Sequence, residues 1–383
     1  MTTTTRVRKP VAIELDTKDG DPTEIGGWMR PGVLVLEDGV RLEGRSFGWP
    51  HATAGEVVFS TGMVGYPESL TDPSFRGQIL TCTYPLIGNY GVPPTRVNER
   101  SGLDATLESI RIHASALIVQ DYSEHHSHWA ADRSLARWLH EERIPALTGV
   151  DTRFLTRRLR DRGSMLGKIE FEGDEADFYD PNIENLAKQV SIAAPQVLGK
   201  GAKRVALLDC GCKHNIIHSL VGRDLEVLRL PWNANLADHD FDGLFISNGP
   251  GNPRFYQETI KQIRTAIGDD RPTFGICLGH QLLALAIGAN TYKLKYGHRS
   301  QNQPVMDLRT RRCSITSQNH GFAVEPRTLR DGWSPWFVNL NDDTNEGLWH
   351  ESGRFRSVQF HPEAAPGPVD TGYLFDQFVE MLD

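Results

Sequence analysis

From residue 31 the chain alternates apolar and polar positions in short runs of period two, beginning with VLVLEDGVRLEG, where Asp38-Gly39 interrupts the alternation as a hairpin turn. GEVVFST, QILTCTY and ASALIVQ continue as strands. SLARWLHEERI then repeats its apolar residues at helical spacing, IPALTGV returns to a strand, and VDTRFLTRRLRDRG reads as a further helix. This pattern predicts a smaller, β-rich α/β unit over 31–180. From residue 203 whole elements alternate instead: strand RVALLD, helix KHNIIHSLVG, strands LEVLRL and GLFIS, helix RFYQETIKQIRTAIG, strand PTFGI, helix LGHQLLALAIG. That order predicts a doubly wound α/β unit over 203–383, closed by the hairpin-like GLWHESGRFRSVQF and the amphipathic helix GYLFDQFVEML. Between the two units, PNIENLAKQVSIAAPQVLGKGAK has weak periodicity and prolines and glycines near its ends, so 181–202 is expected to be a linker. Residues 1–30 have no apolar core of signal-peptide length and carry acidic residues, and are expected to form a poorly ordered extension.

Composition narrows the function classes. With 41 Lys+Arg against 49 Asp+Glu, the net charge of −8 argues against nucleic acid or an anionic membrane as the main partner. No apolar stretch approaches the roughly 20 residues that cross a bilayer. The five cysteines, Cys82, Cys210, Cys212, Cys277 and Cys313, are odd in number and irregular in spacing, which fits a reduced, cytoplasmic chain. Arg153, Arg157, Arg158, Arg160 and Arg162 make a basic run on one helix, read as a solvated or protein-contacting face. Glu124-His125-His126-Ser127-His128 resembles a metal cluster in composition only, and no metal site is expected.

Candidate chemistry gathers at strand ends of the second unit, where a doubly wound sheet places its binding groups. Gly275-Ile276-Cys277-Leu278-Gly279 joins a short strand to a helix, the cysteine counterpart of the G-x-S-x-G nucleophile elbow. The positive end of that helix would stabilise a thiolate, although a buried core cysteine fits the same five residues. His361-Pro362-Glu363 follows the strand SVQF. In an extended segment residues two apart share a side, so Glu363 could orient His361 as a base, or the tripeptide could be a polar turn. Ser247-Asn248-Gly249-Pro250-Gly251 also follows a strand, and its backbone N–H groups suit an oxyanion hole together with that of Leu278, or an ordinary turn.

Taken jointly and in this order, the three motifs resemble the class I glutamine amidotransferases over residues 203 to 383. In the first unit, VLVLEDGVRLEGRSFG, GEVVFSTGMVGYPESLTDPSFRGQILTCTYPLIGNYG and VDTRFLTRRLRDRG look like the N-terminal domain of the small chains of carbamoyl-phosphate synthases. The resemblance implies a glutaminase that forms a γ-glutamyl thioester on Cys277, with His361 and Glu363 completing a triad. It also implies a glutamine pocket of Ser74, Gly249, Gly251, Leu278, Gln281, Asn319, Gly321 and Phe322, in which Ser74 comes from the first unit, so that the pocket would straddle the domain boundary. It implies further that ammonia passes to a large synthetase chain using bicarbonate and ATP with magnesium, in pyrimidine and arginine synthesis. This chain has no Walker-type phosphate loop and is expected to hold no cofactor of its own. A free-standing γ-glutamyl hydrolase would share the Cys/His pair but needs no first unit; a silent scaffold subunit would not need the intact triad.

Overall fold

The computed structural model describes residues 29–383. The extension expected over 1–30 therefore lies, up to residue 28, outside the described residues.

Seven strands of the first unit close into a barrel in the order Pro31–Leu36, Arg41–Ser46, Ala146–Thr148, Ala116–Ile118, Gln78–Cys82, Thr53–Ser60, Met165–Phe171, the last pairing back onto the first. Alternate residues serve opposite faces of each strand. Val57, Ile79 and Ile118 join a core with Leu155 and Leu159 of the helix Thr152–Arg162, while Val58, Leu80 and Leu117 join another with Leu135, Trp138 and Leu139 of the helix Leu135–Glu141. The Asp38-Gly39 hairpin forms as read, with Gly39 at φ +86°.

The second unit is an eight-stranded sheet ordered Gln196–Leu198, Leu225–Pro231, Lys203–Asp209, Gly243–Ile246, Thr273–Ile276, Phe355–Val358, Gly347–His350, Trp333–Pro335. The five strands from Leu225–Pro231 to Phe355–Val358 run parallel. Both faces are covered. Val205, Leu207 and Phe245 pack against Ile216, Ile217 and Leu220 of the helix His214–Val221 and against Phe375 and Phe378 of the helix Tyr373–Glu380. Ala206, Leu208 and Ile246 pack against Ile260 and Ile263 of the helix Gln257–Gly268 and Leu282 and Leu283 of the helix Leu278–Ala286. The doubly wound reading thus holds, with the chain reversing direction across the sheet beside Lys203–Asp209.

Two features differ from the expectations. Residues 181–202 are folded: Leu186 and Ala187 are buried, and Gln196–Leu198 adds an antiparallel edge strand on Leu225–Pro231. Three residues are too few for a periodicity to register in sequence, and their pairing depends on a strand some thirty residues away. The second is the long antiparallel pair Asn290–Asp307 and Cys313–Glu325, which carries Asn319, Gly321 and Phe322 toward the rest of the site. Its buried positions include His298, Arg299, Ser300, Gln318 and His320, so no apolar alternation announces it.

Candidate active site

Each motif sits at the carboxyl end of a parallel strand: Ser247-Asn248-Gly249 after Gly243–Ile246, Cys277 after Thr273–Ile276, and His361 three residues beyond Phe355–Val358. Cys277 is held at φ +54°, ψ −104°, a conformation costing an L-residue about 1–3 kcal/mol that the packed surroundings must impose. The flanking glycines make that turn possible. A Cβ on Gly279 would lie 2.3 Å from the Ile246 carbonyl oxygen, and one on Gly275 2.7 Å from the backbone of Gly279, so strand and helix touch through their main chains. The Cys277 thiol is directed to the Asn319 carbonyl, 3.6 Å away.

His361 is 2% exposed and anchored by its backbone N–H to the Ser317 carbonyl at 2.9 Å. Its Nδ1 lies 2.6 Å from Glu363 Oε1. Residues 361–364 are a turn, closed by the Ala364 N–H to the His361 carbonyl at 3.2 Å, rather than the extended run anticipated; the turn brings the two side chains together instead of strand alternation. With Nδ1 engaged, Nε2 is left without a hydrogen bond and is the nitrogen available to the thiol. Burial pulls the imidazole's proton affinity down, yet the Glu363 carboxylate and the neighbouring Cys277 thiol outweigh it and hold the ring above its ordinary range. Glu363 moves the other way: burial would raise it, but Lys213 and His361 keep it well below the usual carboxyl value.

Lys213 was not foreseen from the sequence. It is buried, with Nζ 3.1 Å from Glu363 Oε1 and 2.6 Å from the Ala364 carbonyl, and it extends the row Cys277, His361, Glu363 to a buried cation. Its flank, GCKHN, is polar on the C-terminal side and gave no sign of burial.

All eight residues expected in the pocket line one cavity with Cys277. Ser74 comes from the first unit, on a 3-10 turn capped by Asp72, which accepts from the Ser74 N–H at 2.9 Å. Asn248 donates to Ser74 Oγ at 2.9 Å and Asn319 to Asp72 Oδ2 at 3.0 Å, so the two units share one hydrogen-bonded wall. Gln281 donates to the Phe322 carbonyl and to Gln359 Oε1 at 2.9 and 3.0 Å. Gly249 is wedged: a Cβ there would sit 2.2 Å from the Cys210 carbonyl oxygen and 2.8 Å from Leu278 Cδ2. If the glutaminase expectation and the oxyanion role read for Gly249 hold, Gly249→Ala should lower glutamine turnover on the order of 10²-fold, read as kcat with the fold checked by thermal melting. Sequence reasoning also missed Glu56, Gln78, Asn182, Lys293, Arg299 and His320, which line the same cavity.

Comparison with known proteins places this geometry. Residues 206–381 match the family model of class-I glutamine amidotransferases, and residues 34–169 match that of the small-chain domain of carbamoyl-phosphate synthases. The arginine-specific small chain of carbamoyl phosphate synthase from Saccharomyces cerevisiae is 50% identical over 363 residues, covering 92% of this chain and 88% of that one. The mitochondrial ammonia carbamoyl-phosphate synthase of Homo sapiens is 51% identical over 352 residues, covering 91% of this chain and 23% of that protein. Multifunctional protein CAD of Squalus acanthias is 51% identical over 354 residues, covering 91% and 16%. The second unit is therefore a class-I glutamine amidotransferase domain. The chain as a whole belongs to the carbamoyl-phosphate synthase small-chain family, and spans about a quarter or less of the longer relatives such as the human and shark proteins.

Proposed function

We propose that this chain is the glutamine-hydrolysing subunit of a carbamoyl-phosphate synthase. It releases glutamate and delivers ammonia to a large synthetase chain that makes carbamoyl phosphate from bicarbonate and ATP, in pyrimidine or arginine synthesis. The observation that carries this reading is the strained Cys277 elbow opening on a cavity lined by all eight expected glutamine contacts, with the His361–Glu363 pair behind it.

In this reading the Cys277 thiol passes its proton to His361 Nε2, and the thiolate attacks the side-chain amide carbon of glutamine. The oxyanion accepts from the N–H groups of Leu278 and Gly249, the first of which starts a helix and has no intrahelical partner. His361 then protonates the departing ammonia as the γ-glutamyl thioester forms. A water, deprotonated by the same ring, attacks the thioester and restores the thiol. Glu363, kept ionised by Lys213, stabilises the imidazolium at each step. Ser74 and Gln281 stand where the amino-acid head group would lie.

We assign ATP and magnesium to the large chain and no metal to this one. Among the described residues, His298, His320 and Glu346 could surround an ion, but both nitrogens of each ring are engaged by Gln318, Asp342 or the Phe322 carbonyl. No helix among those residues is long and apolar enough to cross a membrane. All five cysteines are free, and we assign the chain to a reducing, cytoplasmic setting.

Glutamate release by the purified chain, alone and with its large chain, ATP and bicarbonate, tests the reading. Strong stimulation by the complete mixture is expected. Fast turnover indifferent to the partner would instead make it a free-standing hydrolase, and no turnover in either setting a silent scaffold.

A further inference from the structure

The cavity has a charged end that the triad does not use. Arg299, in the strand Asn290–Asp307, is 6% exposed and lines the cavity, yet among the described residues its side chain makes one hydrogen bond, from Nη1 to the Tyr296 carbonyl at 2.9 Å. Its Nε is buried without a partner, and Nη2 has none among the described residues. Those two nitrogens form the edge with which arginine takes a carboxylate in parallel. Elsewhere in this chain the same edge does so: Arg223 holds the two oxygens of Asp376 through Nε at 2.6 Å and Nη2 at 3.1 Å, and Arg158 directs the same two nitrogens at one oxygen of Asp38. In Arg299 it is idle. Nη2 lies beside Gly321, where a Cβ would come within 3.3 Å, so the guanidinium reaches the cavity wall past a residue without a side chain.

The carboxylate that shares this cavity, Glu56, is already occupied. Glu56 is 3% exposed, and its Oε1 takes Lys293 Nζ at 2.7 Å and Ser164 Oγ at 2.9 Å, while Oε2 takes Gln78 Nε2 at 3.0 Å. Burial weakens the hold of Arg299 on its proton, opposed by Glu56 and by the Cys277 thiol, which places the guanidinium within electrostatic reach of the reacting centre. A buried cation with an unused two-pronged edge needs an anion, and the ligand must supply it.

We propose that Arg299 binds the α-carboxylate of the amino-acid substrate through its Nε–Nη2 edge and so distinguishes an α-amino acid amide from other primary amides. This rests on the proposed glutaminase reading and adds to it the residue that reads the head-group charge. The Glu56–Lys293 pair fixes that end of the cavity across the two units, one partner from each.

The test uses the full chain with its large chain and three amides: L-glutamine, 4-carbamoylbutanoate, which lacks the amine, and 4-aminobutanamide, which lacks the carboxylate. Each is followed by ammonia release or, where turnover is too slow to read, as a competitive inhibitor. Arg299→Met should lower kcat/KM or raise Ki about 100-fold for the two carboxylates, about 2.7 kcal/mol at 1.36 kcal/mol per tenfold, and change 4-aminobutanamide by less than about threefold. Arg299→Lys, which keeps the charge without the paired edge, should fall between, near tenfold. The thermal melting midpoint should stay close to that of the wild type, reporting an intact fold. An unchanged KM for glutamine overturns the proposal, as does an equal fall on all three amides, which would assign Arg299 to the reacting thiol. Wild-type protein inert toward glutamine would instead sink the glutaminase reading, and this proposal with it.

Discussion

Cys277→Ala is expected to cut glutamine-dependent carbamoyl phosphate formation by the complex roughly 10⁴-fold or more, while leaving synthesis from added ammonium chloride near its original rate. The asymmetry follows from where the cysteine stands. Its sulfur is the one group placed to form a covalent bond with the substrate amide, so no neighbour substitutes for it; the cavity walls remain, and glutamine should still bind. The elbow itself is held by Gly275, Gly279 and the backbone of Ile246, not by the sulfur, so the fold survives the change. Glutamine and ammonium chloride are compared as nitrogen sources in the same preparation, with glutamate release measured alongside. Loss of both activities would mean that Cys277 supports the structure and that the nucleophile lies elsewhere.

Much of this site was legible because its chemistry is local. The G-x-C-x-G elbow, the NGPG turn and His-Pro-Glu each declare themselves within seven residues, and the element order says that all three gather at one edge of a sheet. What escaped depends on residues distant in sequence. Lys213 meets Glu363 across 150 positions, and Glu56 meets Lys293 only because the barrel's strand Thr53–Ser60 approaches the strand Asn290–Asp307. Barrel closure rests on the pairing of Pro31–Leu36 with Met165–Phe171, which no hairpin signal announces. Arg299 was hidden for another reason: a polar run such as GHRSQNQP reads as exposed, whereas here His298, Arg299 and Ser300 are buried against a cavity and a hydrogen-bonded wall. Local patterning reports apolar cores well and polar interiors poorly, and active sites are polar interiors.

The second large effect is expected at Lys213, and its sign with pH can be derived. Glu363 is a depressed carboxyl, so its contribution to stability is present above the ordinary value of 4.5 and is lost as pH falls below it. His361 is a raised imidazole, whose contribution is present below 6.5 and is lost as pH rises above it. Lys213→Met removes the largest influence holding Glu363 down, leaving burial opposed by His361 and a backbone hydrogen bond, and Glu363 should then take up its proton at higher pH than in the wild type. Nearby Glu108, already pushed up to about 8 by burial despite Lys213, loses the same counter-cation. At pH 7 the variant should lose about 3–5 kcal/mol of stability, the usual cost of removing one partner of a buried pair. That gap should narrow as pH falls from 4.5 toward about 2, where Glu363 of the wild type also takes up its proton. The acid limb of kcat/KM for glutamine should move to higher pH, because a neutral Glu363 no longer stabilises the imidazolium that protonates the leaving ammonia. Thermal melting across pH 3–8 and the pH profile of glutamate release measure the two effects separately. A stability loss independent of pH with an unmoved acid limb would reduce Lys213 to a packing residue, and the row from Cys277 would then end at Glu363.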